Sequence, residues 1–575
     1  MTRTVADSLV DWAATYRDDP RLSGLLGPGA PFEVEMVVVD GVELRSFVRA
    51  PKTIVDAFQT SRAHEALTHI VYEEQRWTFG EVRRQALSLA RELKARYGVG
   101  EGDRVALAMR NLPEFVVGFW AGAVLGAIVV PLNSWWTGAE LAYALDDSGA
   151  KVVFADDERT NRLASAGFAG SVIRVRSAMT EAHGSMPIEE LTSGAPLSES
   201  EFAGLGSDDP VTILYTSGTT GHPKGAVNTN RATIANLMNM AFSFAREAIL
   251  AGRTPAPTAQ PASVTAAPLF HIGGMAAIVG GAMSGSKMVL MTKWNAANFL
   301  ALAEAEGVTQ FGGVPTMARE ILDVPDLLSY KINVRGFPLG GAAVPPDLPR
   351  RALETFGPSI QLLNGYGCTE TTSAVVTNVG VEYAARMDSV GRPNLTADIQ
   401  VQDPEGKPLE RGQLGELCFR SPQNAKGYWN RPEDTHKAFV EGWFHTGDVG
   451  YVDDDGFVYV VDRLKDVVIR GGENVYCAEV EGALFEHPGV ADVAVIGLPD
   501  ARMGERVCAV VVPREGASIT LEDLRRFVAA NLAAFKRPEA LFLTAELPRT
   551  ATGKTAKPAL RKTVTDAIDK VQRAY

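Results

Sequence analysis

The alternation of two hydrophobic periods most constrains the fold of this chain. From Thr53 to about Gly380, segments with helical spacing of apolar residues alternate with short runs of β-branched residues. Residues 79–97 show the first pattern and residues 104–109 show the second. Because strand–helix–strand alternation places neighbouring strands in the same direction, it favours parallel sheets covered by helices. The sequence therefore predicts the α/β class for the larger part of the chain.

The sequence on either side of this region shows different patterns. Residues 33–48 carry Asp40–Gly41 between two apolar runs, which predicts a β-hairpin. From about Ala397, short apolar runs separated by glycine and proline predict a β-rich subdomain over 397–463. Beyond Arg463 the patterns predict a separate small α+β domain. Its expected strands are 493–497 and 507–512, and its expected helices are 479–486 and 521–531.

An uncharged apolar run of 18 residues, 115–132, raises the question of a membrane span. Gly118, Gly122 and Gly126 recur every four residues within it, and Ile128–Pro131 then reads as a short strand ended by proline. We therefore expect a close-packed buried helix that leads into a buried strand, and no transmembrane span.

The overall charge and the cysteines exclude several function classes. The formal net charge is -13, with 69 acidic against 56 basic residues, which argues against nucleic acid as the main partner. The cysteines at 368, 418, 477 and 508 are far apart, so neither a disulfide framework nor a zinc site is indicated. The N-terminus lacks the apolar core of a secretion signal. These features fit a reducing cytoplasm.

Residues 215–226 form a glycine-rich stretch with three glycines, four Ser or Thr hydroxyls and one Lys, Lys224. Glycines expose backbone N–H groups to an anion, and hydroxyls add further donors, so the stretch suits phosphate. It is not a Walker A loop, because the required spacing is absent, and a plain flexible connector remains an alternative. Gly365-x-Gly367 is not a dinucleotide fingerprint, since Glu370 stands where the third glycine belongs.

Four further motifs follow the glycine-rich stretch in order. They are Asn-Gly-Tyr-Gly-Cys-Thr-Glu at 364–370, His-Thr-Gly-Asp at 445–448, Asp-Arg-Leu-Lys-Asp at 462–466 and Pro-Arg-Thr-Ala-Thr-Gly-Lys at 548–554. Together the five motifs resemble those of the acyl-adenylate-forming superfamily, which includes the acyl- and aryl-CoA synthetases, and the similarity runs from about Val55 to Lys557.

The resemblance implies an α/β architecture with a large N-terminal domain of two helix-covered sheets plus a distorted β-barrel, and a small mobile α+β C-terminal domain. The expected divisions are an N-terminal extension with a hairpin at 1–50, an adenylation domain at 51–463 that includes the β-rich subdomain, a hinge at 464–466, and a lid domain at 467–575.

The resemblance also implies an AMP-forming acid–thiol ligase. ATP and Mg²⁺ would convert a carboxylic acid to acyl-AMP, and coenzyme A would then accept the acyl group. Because the first step crowds negative charge, cations and donors near the α-phosphate matter most. By similarity, Lys554 bridges the carboxylate and the α-phosphate, Thr369 bonds the α-phosphate, and Glu370 holds Mg²⁺.

The remaining nucleotide contacts are also carried over by similarity. Asp448 and Arg463 are expected to bind the ribose, and Tyr366 is expected to lie beside the adenine. The full set expected to bind ATP or AMP is Thr216, Ser217, Gly218, Thr219, Thr220, Gly221, Lys224, Gly341, Ala342, Asn364, Gly365, Tyr366, Thr369, Asp448, Arg463 and Lys554.

In the thioester step, the resemblance implies that the C-terminal domain turns about Lys465. Gly471 and Gly472 would then allow close approach of the coenzyme A chain. The expected acyl pocket is mostly small and uncharged, which disfavours amino acids and diacids. A medium- or long-chain aliphatic or alicyclic acid is favoured, as in fatty-acid metabolism, and an aryl acid comes next. The pocket residues are His271, Gly312, Gly313, Val314, Ala342, Cys368, Thr372 and Ser373.

Two other functions stay open at this level. The chain could load a separate carrier protein, or it could bind nucleotide or acyl-AMP without catalysis and regulate another process. The presence of Lys554, Glu370 and Asp448 together favours the enzyme. Peripheral membrane contact and a homodimer are left open by the sequence.

Overall fold

The computed structural model describes residues 12–177, 185–216, 223–253, 260–500, 502–550 and 554–572. The chain divides into two compact units. The larger contains residues 1–341, 346–399 and 419–444, and the smaller contains residues 342–345, 400–418 and 445–575. Both units combine sheets with helices, which confirms the predicted α/β class with a large N-terminal and a smaller C-terminal part.

A seven-stranded sheet occupies the first part of the larger unit. Its strands are parallel except at one edge, where Lys224–Thr229 pairs antiparallel with Pro210–Thr216. The buried β-branched runs seen in the sequence supply its interior, as expected for strands covered on both faces. In spatial order the strands are Lys224–Thr229, Pro210–Thr216, Ile128–Pro131, Arg104–Ala108, Val152–Asp156, Ser171–Val175 and Met186–Pro187.

A second sheet of the larger unit is built from two groups of four strands. Gln310 forms bridges to both Ser263 and Gly336, and so joins the two groups. The first group contains, in spatial order, Ala262–Thr265, Lys287–Leu290, Thr68–Tyr72 and Gln75–Thr78. The second contains Gly336–Gly340, Gln361–Cys368, Ser373–Val379 and Arg392–Pro393.

Helices connect these strands throughout the larger unit. Several begin at a Thr whose side chain caps the helix, for example Thr78 before Phe79–Tyr97. The α-helices are Trp12–Arg17, Ser23–Leu26, Ile54–Thr60, Phe79–Tyr97, Pro113–Val124, Gly138–Ser148, Asp157–Ser165, Ile188–Thr192, Asn230–Leu250, Ile272–Ser284, Ala296–Glu306, Pro315–Leu322, Asp347–Phe356, Gly380–Ala385 and Pro432–Ala438.

The uncharged run at 115–132 is buried in protein, as predicted. It contributes the helix Pro113–Val124 and the strand Ile128–Pro131, and all residues of both are buried. A Cβ added at Gly118 would lie 2.9 Å from Leu107 Cδ2, and one at Gly122 would lie 3.2 Å from Val129 Cγ2. The glycines therefore let the helix approach the sheet closely. Within the described ranges, no helix combines the length and hydropathy of a membrane span.

The expected N-terminal hairpin is present. Strands Val34–Val39 and Val42–Phe47 pair antiparallel, with Asp40 and Gly41 at positive φ in the turn. Tyr16 donates a hydrogen bond from its hydroxyl to Pro393 O (2.9 Å), and its ring packs on Phe242. These contacts attach the segment before the hairpin to the rest of the larger unit.

Strand Thr68–Tyr72 buries a titratable side chain, His69, which is 1% exposed. Its ring stacks on Phe79 with centroids 3.9 Å apart, and burial lowers the pKa of His69 from 6.5 to about 4. The folded state therefore prefers the neutral ring. The unfolded chain binds a proton first as the pH falls below 6.5, so acid lowers the stability of the fold.

We expect the free energy of unfolding to fall by about 3 kcal/mol between pH 7 and pH 4 through His69 alone. Urea unfolding at pH 7 and pH 5 should show a smaller loss of stability in His69→Gln than in the wild type. His64→Gln is the matched control, since His64 contacts the same Phe79 ring. An unchanged pH dependence in His69→Gln would contradict this assignment.

The smaller unit has its own sheet and core. The strands Glu473–Val475, Val468–Arg470, Gly504–Pro513 and Val490–Asp500 lie in that spatial order, and Ala540–Leu543 pairs with Gly504–Pro513 in parallel. Val495, Val507 and Leu524 are among the residues of its core. The α-helices are Cys477–Phe485, Leu521–Phe527 and Lys557–Gln572.

Two local features of the smaller unit complete the fold. The helix expected over 521–531 ends at Phe527, and a short 3-10 turn at Val528–Ala530 follows it. Strand Val458–Arg463 pairs antiparallel with the second part of the strand Trp443–Val452.

Three strands cross the sequence boundaries between the two units, so that each begins in one unit and ends in the other. They are Asp398–Gln402, Gly415–Arg420 and Trp443–Val452. Strand Phe439–Val440 precedes the last of these.

Candidate active site

The glycine-rich stretch joins two antiparallel strands at the carboxyl end of the strand Pro210–Thr216. Thr216 is paired with Lys224, and Thr216 Oγ1 donates to Lys224 O at 3.4 Å. Ser217, Gly218, Thr219, Thr220 and Gly221 lie outside the described residues. Both ends of the loop are therefore fixed to a sheet edge where ligands of α/β proteins commonly bind.

Lys224 has a specific acidic partner. Its ammonium nitrogen donates to Asp434 Oδ1 at 2.6 Å and lies 5.4 Å from the centre of the Tyr428 ring. The carboxylate and the ring thus hold the amine at the foot of the glycine-rich loop. The sequence analysis did not identify Asp434 or Tyr428, although both belong to a short charged and aromatic run at 426–434.

Glu370 is oriented by Tyr428. The Tyr428 hydroxyl donates to Glu370 Oε1 at 2.9 Å, and the backbone N–H of Ala425 donates to Glu370 O at 2.7 Å. Burial, and then the charge of Glu370, raise the pKa of Tyr428, so the hydroxyl stays a donor. One carboxylate oxygen of Glu370 is thereby fixed, and a carboxylate oxygen is the ligand type that Mg²⁺ prefers.

The turn that carries Thr369 and Glu370 is held in an uncommon backbone conformation. Thr372 and Ser373 have φ of 48° and 83°, which non-glycine residues rarely adopt. Asn228 Nδ2 donates to Thr369 O at 3.1 Å and to Thr372 Oγ1 at 2.6 Å. Thr371 Oγ1 accepts from Cys368 N–H and donates to Ser373 O. Such strain persists because the surrounding hydrogen bonds fix it, and it is common at functional sites.

Glycines allow neighbouring strands to pack closely beside this turn. Gly340 pairs with Gly365, and a Cβ at Gly340 would lie 3.0 Å from Gly365 O. A Cβ at Gly367 would lie 1.9 Å from Ser373 O, so a side chain there is excluded. Asn364 is paired with Leu339 in the same register. Tyr366 lies on this strand, with its ring 6.0 Å from that of Phe419.

Seven of the eight expected acyl-pocket residues lie in the larger unit, where they form two groups, and the eighth, Ala342, falls in the smaller unit. Gly312 and Gly313 have φ of 141° and 142°, and Gly313 N–H donates to Pro338 O at 2.9 Å. Val314 precedes the helix Pro315–Leu322, and a Cβ at Gly341 would lie 3.5 Å from its side chain. These residues therefore lie beside the strand Gly336–Gly340, which pairs with the strand that contains the Asn364–Cys368 segment. Burial and the charge of Glu370 raise the pKa of Cys368, so its thiol stays protonated.

His271 belongs to the second group, at the start of the helix Ile272–Ser284. The preceding Phe270 packs edge-on against Trp135 with ring centroids 5.6 Å apart. Trp135 is 44% exposed and carries the Arg110 guanidinium 4.4 Å above its ring. An exposed Trp135 ring therefore packs on the residue next to His271, a contact that the sequence analysis did not foresee.

In the smaller unit, Asp448 and Arg463 lie opposite each other on antiparallel strands. Arg463 Nε is 3.0 Å from Asp448 Oδ1, and Asp448 is 7% exposed. Thr446 Oγ1 accepts from Asp448 N–H at 3.0 Å and donates to Leu417 O at 2.7 Å. The two residues that the sequence expects at a ribose thus form one preorganised pair. Ala342 also falls in this unit.

Glu416 supports the loop that carries Asp448. Its carboxylate accepts from Gly447 N–H at 2.8 Å and contacts His445 Nδ1 at 3.0 Å. Burial by itself opposes the charge of Glu416, but these two hydrogen bonds hold its pKa below the usual value. The structure thereby brings together Glu416, Cys418 and His445, which sequence reasoning did not group.

The expected hinge and coenzyme A residues occupy short turns of the smaller unit. Lys465 is exposed, and the flanking Leu464 N–H donates to Gly447 O at 2.9 Å. Gly471 and Gly472 have φ of 60° and 87° in the turn between the strands Val468–Arg470 and Glu473–Val475. Gly471 N–H donates to Met503 O at 2.8 Å.

Lys554 lies on a small hairpin of the smaller unit. Arg549 forms an antiparallel bridge with Thr555, and Thr550 N–H donates to Lys554 O at 2.7 Å. Residues 551–553 lie outside the described residues. Lys554 and Thr555 are therefore held by backbone pairing to Arg549 and Thr550.

Comparison with known families covers most of the chain. Residues 57–429 match the AMP-binding enzyme family, and residues 479–554 match the AMP-binding enzyme C-terminal domain. Feruloyl-CoA synthase of an Amycolatopsis species is 37% identical over 487 residues, which are 84% of this chain and 93% of that protein. Long-chain-fatty-acid–CoA ligase FadD13 of Mycobacterium tuberculosis is 33% identical over 500 residues, which are 86% of this chain and 94% of that protein.

A solved structure shows the same arrangement of elements. The o-succinylbenzoate CoA synthetase MenE from Bacillus subtilis, in complex with its acyl-adenylate intermediate, superposes with a TM-score of 0.75 at 28% identity. The match covers 89% of this chain and 99% of that one. The same enzyme in complex with ATP and a magnesium ion gives a TM-score of 0.74 at 28% identity, covering 88% and 99% of the two chains.

Proposed function

The chain belongs to the AMP-binding enzyme family and is an AMP-forming acid–thiol ligase, and from that premise we propose the substrates and the residues that act on them. ATP activates a medium- or long-chain aliphatic or alicyclic carboxylic acid to acyl-AMP. Coenzyme A then takes the acyl group, and the products are acyl-CoA, AMP and pyrophosphate. The four cysteines are free thiols, which supports the proposed cytoplasmic setting.

The observation that carries this proposal is the pair formed by Asp448 and Arg463. A buried carboxylate beside a guanidinium can accept hydrogen bonds from both ribose hydroxyls while Arg463 donates to the same sugar. The pair reads the sugar and not the base, which suits a site whose ligand keeps its AMP part through both steps.

In the first step, the acid's carboxylate oxygen attacks the α-phosphorus, and the bond between the α-phosphorus and the bridging oxygen breaks as pyrophosphate leaves. We assign the stabilisation of this crowded charge to Lys554 and to the hydroxyl of Thr369. The glycine-rich loop from Thr216 to Lys224 binds the β- and γ-phosphates. Lys554 and Thr369 act on charge that gathers at the α-phosphate during the reaction, so they contribute to kcat more than to ground-state binding.

Glu370 suits the Mg²⁺ that we propose accompanies ATP in the first step. Its carboxylate is fixed by Tyr428 through one oxygen, and carboxylate oxygens are suitable ligands for a hard cation. When bound, Mg²⁺ neutralises charge on the phosphate oxygens. The contribution of the chain is the orientation of the carboxylate.

In the second step, the sulfur of coenzyme A attacks the acyl carbonyl, the bond from the carbonyl carbon to the AMP oxygen breaks, and AMP leaves. We assign Gly471 and Gly472 to the approach of the thiol-bearing chain, because both are at positive φ in one turn and the space beside Gly472 is open. Rotation about Lys465 lets Lys554 withdraw between the steps.

The uncharged acyl-pocket residues support an apolar acid. Gly312, Gly313 and Val314 carry no charge and no polar side chain, which suits a hydrocarbon chain or ring. An aryl acid is the second candidate, because the exposed Trp135 ring, which packs on Phe270 next to His271, can stack on an aromatic ring. The 37% identity to a feruloyl-CoA synthase supports the same alternative.

The proposal is tested by AMP release measured across fatty, branched, alicyclic and aryl acids, with and without coenzyme A. The proposed function requires AMP release that depends on coenzyme A, with greatest kcat/KM for a medium- or long-chain aliphatic or alicyclic acid. Highest kcat/KM for a hydroxycinnamic or benzoic acid would establish the aryl alternative instead. Turnover that requires a carrier protein, or nucleotide binding without AMP release, would overturn the coenzyme A assignment.

Tyr428 should lower the Mg²⁺ concentration that the enzyme needs, because it orients Glu370. In Tyr428→Phe the hydrogen bond to Glu370 Oε1 is lost, so the carboxylate is less fixed and the Mg²⁺ concentration for half-maximal rate should rise roughly three- to tenfold. At saturating Mg²⁺ the rate should recover to within about twofold of the wild type. Tyr451→Phe is the control, since Tyr451 stacks on Tyr459 in the smaller unit. An unchanged Mg²⁺ requirement would contradict the role.

A further inference from the structure

The hairpin that carries Lys554 is closed at its base by backbone hydrogen bonds. Ala556 N–H donates to Pro548 O at 2.7 Å, Thr550 N–H donates to Lys554 O at 2.7 Å, and Arg549 bridges Thr555. Such bonds keep the two arms together, but they do not fix the direction in which the hairpin leaves the unit. That direction depends on the side chains at its two ends.

One end is held by a largely covered ion pair. Lys557 Nζ is 2.8 Å from Glu481 Oε1, and the two side chains are 14% and 20% exposed. Glu481 belongs to the helix Cys477–Phe485, and its Oε1 also accepts from Val495 N–H at 2.7 Å. Burial opposes the ammonium, yet the charge of Glu481 raises the pKa of Lys557, and Asp462 adds to this effect. Lys557 therefore stays charged and joined to the helix.

The other end is held by a second ion pair. Arg549 Nη2 contacts Asp492 Oδ2, and the side chains are 30% and 26% exposed. Asp492 lies on the strand Val490–Asp500, which also carries Val495. The two ion pairs therefore connect both arms of the hairpin to adjoining parts of one helix and one strand.

Apolar contacts complete the attachment. Leu547, one residue before the hairpin, and Leu560, in the helix after it, are 5% and 2% exposed. Both belong to a cluster with Ile496 and Val510 of the central strands. The arms of the hairpin thus lie between two buried residues whose packing does not involve the ion pairs, and we expect the unit to stay folded when Arg549 is changed.

We propose that Lys557 and Arg549 are positioning residues that hold the hairpin so that Lys554 is presented in one orientation. This inference rests on the proposed function, in which Lys554 acts in acyl-AMP formation. The pairs act only through Lys554, so their effect is confined to the step in which Lys554 takes part.

The test uses the full-length protein and four variants. Lys557→Met removes the buried charge, Lys557→Arg keeps it, and Arg549→Met opens the more exposed pair. Arg526→Met is the matched control, because Arg526 forms an exposed pair with Asp523, at 4.0 Å, within the single helix Leu521–Phe527. Two half-reactions are measured: acyl-AMP formation from acid and ATP, and thioester formation from a supplied synthetic acyl-AMP and coenzyme A.

We expect Lys557→Met to lower kcat for acyl-AMP formation roughly ten- to thirtyfold, with KM for ATP within about twofold of the wild type. Thioester formation from acyl-AMP should stay within about twofold, and Arg549→Met should show the same selectivity with a loss of roughly three- to tenfold. Lys557→Arg should restore at least about half of the wild-type rate, because the charge is kept. Arg526→Met should change neither half-reaction.

A second readout does not depend on activity. Hydrogen exchange at the amides of Thr550 and Ala556 should be faster in Lys557→Met than in wild type and Arg526→Met, because these amides report the base of the hairpin. Equal loss of both half-reactions, or unchanged acyl-AMP formation and exchange, would overturn the positioning role. Lys557→Met leaves the charge of Glu481 without its ion-pair partner, which could prevent folding. In that case Arg549→Met tests the positioning role through the same two half-reactions and the same exchange measurement.

Failure of this inference is distinguishable from failure of the proposed function. If Lys554→Ala loses only acyl-AMP formation while the ion-pair variants behave as wild type, the function stands and the positioning role falls. If Lys554→Ala loses both half-reactions equally, the assignment of Lys554 itself falls, and the positioning role falls with it.

Discussion

Replacement of Lys554 by Ala should lower the rate of acyl-AMP formation from free acid and ATP by a factor of about a hundred to a thousand. The ammonium is proposed to offset negative charge that gathers between the carboxylate and the α-phosphate, and nothing in an alanine side chain replaces it. The backbone around Lys554 is fixed by hydrogen bonds at Thr550 and Ala556, so the substitution should leave the hairpin intact. Pyrophosphate release measures this half-reaction directly.

Thioester formation from a synthetic acyl-AMP should survive in the same variant to within about threefold, since the charge is not needed once the adenylate exists. Lys562→Ala is the control, because Lys562 is an exposed lysine on the following helix Lys557–Gln572. A Lys554→Ala enzyme with normal pyrophosphate release would rule out the electrostatic role proposed for this amine.

Replacement of Asp448 by Asn should reduce kcat/KM for ATP by roughly ten- to a hundredfold, mainly through a higher KM. Asn keeps the size of the side chain but removes the charge that pairs with Arg463 at 3.0 Å, and it offers one acceptor oxygen where the carboxylate offers two. The ribose hydroxyls therefore lose a charged acceptor in a buried position. Initial rates at varied ATP concentration give both constants.

Asp454→Asn provides the comparison for this change, since Asp454 is an exposed acid in the turn that follows the same strand. It should leave KM for ATP within about twofold of the wild type. The 2′-deoxy analogue of ATP offers a further check: Asp448→Asn should discriminate less between ATP and 2′-deoxy-ATP than the wild type does. Equal discrimination by both proteins would show that Asp448 does not contact that hydroxyl.

Local patterns predicted the elements of the fold well where one signal dominated. The helix at 79–97 has the bounds expected from its period, because Thr78 and Glu81 form a capping box and Gly98 ends it in the left-handed conformation. Asp40–Gly41 likewise fixed the register of the N-terminal hairpin. The helix expected over 521–531 was too long, because the chain turns into a 3-10 segment at Val528.

The contacts that orient the site could not be read from the sequence. Tyr428 and Glu370 are 58 positions apart, and Lys224 and Asp434 are 210 apart, yet each pair is hydrogen-bonded. Hydrophobic period reports which face of an element is buried, but not which side chain of a distant loop will reach it. The motifs placed Asp448 and Arg463 in a nucleotide role by resemblance, whereas the strand register that makes them partners is visible only in three dimensions.

The buried helix Pro113–Val124 has a consequence for synthesis on the ribosome. Gly118 packs against Leu107, which is made earlier, and against Phe154, which is made later. While the nascent chain still lacks the strand Val152–Asp156, Phe154 is not yet present to pack beside Gly118 of this apolar helix. We expect chaperones that recognise extended apolar stretches to engage this segment first, and aggregation of truncated chains to begin there.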